Sequence, residues 1–152
     1  MSITIRAATS ADADVIAEYN RRLAFETEDK VLDPPILAAG VAALLRDASK
    51  GRYFVAEDGG DVVGQIAVTY EWSDWRNGWV WWIQSVYVRS DARRRGAFEA
   101  LYRRVEEAAR ADGGVVALRL YVERHNGVAQ QTYRRMGMEE MPFLLFQSWL
   151  GK

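Results

Sequence analysis

The sequence predicts an α/β (α+β) fold: a mixed, mostly antiparallel central sheet with helices on both faces, in the order β-α-α-β-β-β-α-β-α-β. Three observations carry that reading. Apolar strand-like runs joined by tight turns fill residues 52–88, which makes an antiparallel meander. Strand, helix and strand patterns follow, and a crossover of that kind returns a strand parallel to its neighbour. The chain has 152 residues, 49% of them hydrophobic and 27% charged, so it forms one domain, spanning 1–152, of ordinary globular composition. A chain of this size buries about 70% of the surface it exposes when unfolded and builds a core without cross-links.

The elements read off in order. Ile3, Ile5 and Ala7 alternate with Thr4 and Arg6 as a short strand. Thr9 or Ser10 caps a helix carrying Val15, Ile16, Tyr19 and Leu23 at helical spacing. Residues 26–33, ETEDKVLD, break that pattern and read as an acidic loop. Asp33-Pro34-Pro35 opens a second helix, because proline fits a first helical turn. Arg52 to Glu57 is a strand, Asp58-Gly59-Gly60-Asp61 a tight turn, and Val62 to Trp72 a long return strand. Trp79 to Val88 is nearly continuously apolar, the pattern of a central strand covered on both faces. A basic loop, 89–96, precedes a helix with Phe98, Leu101, Tyr102, Val105, Ala108 and Ala109 on one stripe. Its other face spaces Glu and Arg four apart, and Asp112-Gly113-Gly114 ends it. Val116, Leu118, Leu120 and Val122 alternate as a strand, Asn126 to Met136 forms a short helix stopped by Gly137, and Met141 to Trp149 reads as a last strand.

Composition excludes several chemistries. There is no Cys, so disulfides, thiolate metal sites and an acyl-cysteine nucleophile are out. The single histidine, His125, adjoins a helix start, where a capping or surface role suits it, and multi-histidine metal sites are excluded; no metal is expected. Residues 1–76 carry 8 Lys+Arg against 13 Asp+Glu, and residues 77–152 carry 12 against 8, so an acidic half (−5) precedes a basic half (+4). The acidic half and a pI near 5.9 argue against nucleic acid. No window approaches the roughly 18 apolar residues of a membrane span, and the first residues lack the pattern of a secretion signal, so a soluble cytoplasmic protein is expected.

The chemistry concentrates at the strand, basic loop and helix around residue 96. A helix start offers unpaired N–H groups and partial positive charge, a natural anion cradle after a strand. Gly96 lets the backbone approach a phosphate, and Arg93, Arg94 and Arg95 add charge and forked donors. There is no GxxxxGK[ST] and no GxGxxG, so neither a P-loop nor a dinucleotide fold is indicated. By itself this segment says "phosphate-bearing ligand", or a solvated arginine-rich loop.

Residues 78–138 resemble the GCN5-related N-acetyltransferase (GNAT) family in order and spacing. VYVRSDARRRGAFEALYRRVEEAARADG matches its main motif, with Arg93-x-x-Gly96-x-Phe98, and LYVERHNGVAQQTYRRMGM its second, with Asn126, Ala129, Tyr133 and Gly137. Residues 1–77 match in element order alone.

The resemblance implies acetyl-CoA as donor, a splayed central strand pair that makes the cofactor slot, and a homodimer. It assigns the pyrophosphate to the loop Arg93, Arg94, Arg95, Gly96, Ala97 and Phe98, and the pantetheine arm to the strand edge Val86, Tyr87 and Val88. Asn126, Ala129 and Gln130 would line the arm, and Arg94, Arg95 or Arg135 would reach the ribose phosphate. Tyr133 sits at the family's general acid, and the backbone N–H of Val86 at its oxyanion donor.

Two positions depart from the family. Phe98 replaces a small residue in the loop, and Gln84 stands where many members carry a Glu base. The base is then a water relayed to Glu71, Glu26 or Glu28, or is dispensed with if the amine's own pKa is low. Trp72, Trp75, Trp79, Trp81 and Trp82 crowd the second hairpin; alternation puts Trp79, Trp81 and Ile83 on one face and Val80, Trp82 and Gln84 on the other. They serve as core, as an aromatic wall for a cationic or apolar acceptor, or as a dimer patch. Glu26, Glu28, Trp82 and Gln84 are the substrate candidates. The expected activity is direct transfer of an acetyl group to a primary amine of a small molecule through a ternary complex. A non-catalytic acyl-CoA sensor on the same fold is the alternative that Gln84 raises.

Overall fold

The computed structural model describes residues 2–151. The elements are β1 (Ile3–Ala7), α1 (Ala13–Glu28), α2 (Pro34–Arg46), β2 (Arg52–Asp58), β3 (Asp61–Ser73), β4 (Gly78–Val88), α3 (Ala97–Asp112), β5 (Val115–Leu120) and α4 (Gly127–Arg135). Short 3₁₀ turns at Ser10–Asp12 and Ser90–Ala92 precede α1 and α3. The sheet runs β1-β2-β3-β4-β5 in space. Its first three junctions are antiparallel and β4 lies parallel to β5, the mixed sheet that the element order predicts.

Alternation along the strands divides the core between two layers. Tyr53, Val55 and Ala67 point toward α1 and α2 and meet Ile16 and Val41. Phe54, Ala56, Ile66, Val68, Trp81 and Ile83 point the other way and meet Leu101, Tyr102 and Val105 of α3. Each such fully buried apolar side chain contributes about 1.5–3 kcal/mol. Alternation sends the adjacent Val62 and Val63 to opposite layers, and a register shift at Ala56/Glu57, which leaves Val63 without a cross-strand partner, sets which of them joins which layer. Asp33 caps α2 by accepting the Ile36 N–H, with Pro34 and Pro35 in the first turn. Gly113, at φ 81°, ends α3.

Arg6 pins the first strand to the rest. Its guanidinium bonds both oxygens of Asp12 at 2.8 and 2.9 Å and Glu57 at 2.9 Å, joining β1, the first 3₁₀ turn and β2. Asp12 is nearly buried, with 8% of its side chain exposed. Arg6, aided by the Thr9 N–H, holds its carboxyl below the ordinary range against the opposing effect of burial. Arg6→Met strands that carboxylate. Because the Arg6 side chain is 37% exposed, the expected loss lies below that of a fully buried pair. About 2 kcal/mol, or roughly 4–8 °C in Tm, is expected. A carboxyl with a depressed folded-state pKa adds stability above its unfolded value, near pH ~4, and that stability goes as pH falls through the folded value. Thermal melts from pH 7 to pH 3 therefore show the variant's deficit shrinking toward the acid end.

Two expectations need correction. The acidic stretch 26–33 is not all loop: α1 continues through Glu28, and Asp29 ends it in the left-handed region at φ 53°. Acidic residues in a last turn oppose the helix dipole, but Glu26 is offset by an ion pair to Arg93. The last strand, Met141–Trp149, does not form, and the sheet has five strands. Those residues are exposed and pair with no strand, and β-propensity without a neighbouring edge makes no ladder. Of the hairpin tryptophans, Trp81 is core, whereas Trp72 and Trp79 pack edge to face at 5.1 Å on the surface and Trp75 is exposed.

Candidate active site

The site begins at a break in the sheet. β4 and β5 pair from Trp79–Val115 to Ile83–Leu120 and no further. On the other side, the β3–β4 register slips by one residue between Gln65 and Ala67. Ser85 sits at the slip with φ 52°, a left-handed conformation uncommon for a residue with a Cβ. The bulge moves Val86 and Val88 into the α3 layer and leaves their strand edge unpaired toward β5. This is the splayed strand pair.

Gln65 braces the bulge. It is fully buried on β3, and its Nε2 donates to the Ser85 carbonyl at 3.0 Å and to Asn20 Oδ1 at 2.8 Å. Asn20 in turn donates to the Tyr53 hydroxyl at 3.0 Å. Sequence reasoning missed this trio. The one signal was a Gln in an otherwise apolar strand run, VVGQIAV.

Beyond the break a cleft of about 220 Å³ opens between β4 and α4, lined by Val86, Tyr87, Val88, Phe98, Ala129, Thr132 and Tyr133. Phe98 meets Tyr133 edge to face at 5.8 Å, so the large residue in the loop forms part of the wall. Burial pushes the Tyr133 hydroxyl above its ordinary value. Asn126 caps α4 by accepting the Ala129 N–H at 3.2 Å and so fixes the helix that carries Tyr133. Gln130 faces away from the cleft, its amide on the carbonyls of Arg124 (2.8 Å) and Glu123 (3.4 Å). Thr132 takes a place in the lining that sequence reasoning did not assign.

The basic loop leads into α3, whose Phe98 lines the cleft. Gly96 caps α3 at φ 82°, and Arg94 is also left-handed at φ 66°. Among the described residues, the N–H groups of Arg95, Gly96 and Ala97 have no hydrogen-bond acceptor. They point from the start of a 16-residue helix, as an anion cradle requires. A Cβ built on Gly96 meets no atom within 4 Å, so the space in front of the loop is open.

The three arginines have three fates. Arg93 folds back, with Nε on the Val88 carbonyl at 2.7 Å, Nη2 on Glu26 at 2.9 Å, and its guanidinium 5.3 Å from the Tyr87 ring. Arg95 pairs with Asp58 at 2.8 Å. Arg94 makes no ion pair among the described residues. Arg135 lies farther along α4 and touches Thr132 at 3.2 Å.

Glu26 and Glu71 stand in different places. Glu26 accepts from Arg93 and from the Tyr87 hydroxyl (2.7 Å), and Arg93 first of all holds it below the ordinary carboxylate range. Glu28 pairs with Lys30 at the surface. Glu71 lies on the open face of the sheet with Trp82 and Gln84. It accepts from Trp82 Nε1 at 2.8 Å and lies 3.9 Å from Arg119. Trp82 stacks on Tyr121 at 4.5 Å, and Gln84 donates to Thr69 at 2.7 Å. Glu71, Trp82 and Gln84 thus share one surface, and Glu26 is set apart beside the basic loop. A second hollow of about 250 Å³ lies between α1 and α2, away from this chemistry. Among the described residues no cluster of His, Cys, Asp or Glu is placed to hold a metal, and no helix is long and apolar enough to cross a membrane.

The sheet is mixed, and its parallel strands β4 and β5 part beside a glycine-capped helix start. Residues 15–138 match the family model described as the acetyltransferase (GNAT) family. The chain belongs to that family. Among solved structures it is similar to a possible acetyltransferase from Clostridium difficile 630, with 45% identity, 99% of both chains covered and a TM-score of 0.91. It is also similar to an integron cassette protein from the mobile metagenome of Cole Harbour Salt Marsh, with 26% identity, 97% of this chain and 91% of that one covered and a TM-score of 0.82. A predicted acetyltransferase from Clostridium acetobutylicum, solved with acetyl-CoA, shares the fold at 14% identity, with 97% and 96% of the two chains covered and a TM-score of 0.81. No curated protein matches the chain.

Proposed function

We propose that this protein transfers the acetyl group of acetyl-CoA directly to a primary amine of a small molecule, as a cytoplasmic enzyme. One arrangement carries the reading: the Val86–Val88 edge, unpaired toward β5, and Tyr133 line one cleft, and Phe98 of the same lining follows directly on the unpaired N–H groups at Arg95–Ala97. The cradle suits a pyrophosphate, the free strand edge suits the amide-bearing pantetheine arm, and the tyrosine suits a leaving thiolate. Acetyl-CoA supplies an activated acyl carbon and a thiolate leaving group.

The residues then have distinct tasks. The Val86 N–H donates to the oxygen that becomes negative as the amine attacks. Tyr133, kept protonated by its raised pKa, gives the leaving sulfur its proton. The attacking amine must be neutral, and its proton passes to water, with Glu71 as the carboxylate on the acceptor face. Glu26, stabilised as an anion by Arg93, suits an anchor better than a proton acceptor. The Trp82–Tyr121 stack beside Glu71 offers aromatic faces and a negative charge, both of which attract an ammonium group. The chain has no Cys, so transfer without an acyl-cysteine intermediate follows, and ping-pong kinetics contradicts the mechanism.

Calorimetry with acetyl-CoA, CoA and a 3′-dephospho analogue tests the reading. Micromolar binding is expected, and at about 100 times Kd the ligand stabilises the fold by ~2.7 kcal/mol. That is a rise of roughly 5–10 °C in Tm for a domain of this size. Thiol release in a screen of amines follows. No binding at millimolar concentration sinks the proposal. Binding without turnover on any amine supports the sensor reading, which Gln84 favours because an amide cannot take the amine's proton.

A further inference from the structure

We infer that Gln65 is a positioning residue of the acyl site: its buried amide holds the Ser85 carbonyl and so turns the Val86 N–H toward the cleft. The brace stands on the structure alone, and its catalytic meaning rests on the function proposed above.

Peptide geometry links the two groups. The Ser85 carbonyl and the Val86 N–H belong to one peptide unit, which is planar and, like every described peptide here, trans. In a trans unit the C=O and the N–H point in opposite directions. Gln65 Nε2 donates to the Ser85 carbonyl at 3.0 Å from the neighbouring strand β3. Holding that carbonyl therefore aims the Val86 N–H away from the Gln65 amide, and Val86 lines the cleft.

The bulge needs such a side chain. Gln65 pairs with Tyr87 and Ala67 with Gln84, so Ser85 and Val86 together face the single residue Ile66. Ser85 takes φ 52°, which is costly for a residue with a Cβ and persists only where its surroundings enforce it. A side-chain donor stands in there for the ladder.

The brace is itself held. Asn20 of α1 takes the second hydrogen of Gln65 Nε2 on its Oδ1 at 2.8 Å and donates to the Tyr53 hydroxyl at 3.0 Å. With both hydrogens committed, the amide cannot rotate without breaking a bond. Gln65 is fully buried, and among the described residues its Oε1 meets no donor. A half-satisfied amide adds little to a core strand, so donation is what this position provides. Beyond the bulge β4 is secured separately. The Arg89 N–H donates to the Val63 carbonyl at 2.8 Å, and Arg93 Nε to the Val88 carbonyl at 2.7 Å. Loss of the brace is thus confined to Ser85 and Val86.

Gln65→Met keeps the volume and removes the donor. Combined with Asn20→Leu, it also removes the Asn20 oxygen left without one, and part of the lost Tm should return. Tyr53→Phe is the control, since it breaks the far bond of the trio and leaves Gln65 in place. In the free protein, the Ser85 ¹³Cα and ¹³Cβ shifts follow backbone φ and ψ. They are expected to report a left-handed residue in wild type and Tyr53→Phe, and to leave that region in both Gln65 variants. The second readout is the infrared band of acetyl-CoA carrying ¹³C at its acetyl carbonyl. On binding to wild type the band is expected below its position in free solution, because a hydrogen bond to the oxygen weakens the C=O bond. Both Gln65 variants should lose about half or more of that displacement while Kd stays within about threefold. Tyr53→Phe should keep it although its Tm falls. A general loosening moves Tm and Kd together with the band and does not give this split. A left-handed Ser85 in both Gln65 variants, a band still displaced in them, or a band lost equally in Tyr53→Phe overturns the inference. So does a wild-type band that binding leaves unmoved. Failure of the wild type to bind acetyl-CoA sinks the proposed function, and the Ser85 shifts then decide the brace by themselves.

Discussion

Tyr133→Phe is expected to lower kcat by about 100-fold or more while leaving the Kd for CoA within twofold, since positioned general acids contribute ~10²–10⁴-fold. The split follows from where the two parts of the side chain sit. The ring packs edge to face on Phe98 and lines the cleft, and Phe keeps both contacts. Among the described residues the hydroxyl has no hydrogen-bond partner, so its removal breaks no structural bond and Tm should hold. Burial pushes the hydroxyl above its ordinary value, so the group stays protonated through neutral pH. The wild-type rate therefore falls at alkaline pH as that proton leaves, and the variant lacks this limb. Steady-state kinetics from pH 6 to pH 11, with calorimetry on the same preparations, reads all of these. Unchanged turnover in the variant removes Tyr133 from the mechanism.

Gly96→Glu is expected to weaken CoA binding about 100-fold. A Cβ at Gly96 meets nothing within 4 Å, so a new side chain occupies the open space in front of the cradle and does not clash with the fold. On the proposed function, its carboxylate would there face the pyrophosphate. Two negative charges opposed by one at about 5 Å repel by ~2–3 kcal/mol at effective dielectrics of roughly 40–80, which is close to two orders of magnitude in Kd. The left-handed backbone, φ 82°, adds ~1 kcal/mol of strain for any side chain. Gly96→Ala carries the strain without the charge, so Tm should fall by roughly 2–4 °C in both variants, with the larger affinity loss in Glu alone. Equal affinities for the two variants would falsify the placement of the pyrophosphate at this loop.

Both predictions concern residues that stand out in the sequence, for a physical reason. An anion cradle is a local device: a strand end, a loop of a few residues, a glycine able to take positive φ and a helix start all lie within 86–98. The cap at Asn126 and the tyrosine seven residues on are equally local, since helical spacing alone fixes their relation. Elements whose partners lie far along the chain were not legible. Gln65 reaches Ser85 on the neighbouring strand, Arg95 is claimed by Asp58, and Arg93 is claimed by Glu26 at the end of a helix that sequence pattern ends too early. Neither spacing nor charge says which of three adjacent arginines stays free.

The sequence by itself determined the order of the elements through α4, the helices on both faces of the sheet, the glycine-capped helix start at Gly96 and the position of Tyr133 on α4. Those follow from periodicity, turn chemistry and helix capping, which act over a few residues. Tertiary structure decided where the sheet parts, because the bulge at Ser85 depends on a buried amide from another strand. It decided that Glu71, Trp82 and Gln84 share a face while Glu26 does not. It also decided that the run from Met141 to Trp149 is no strand within this chain. Apolar alternation confers the capacity to be a strand, but a ladder needs a second edge, and only the assembled sheet shows whether one is in reach.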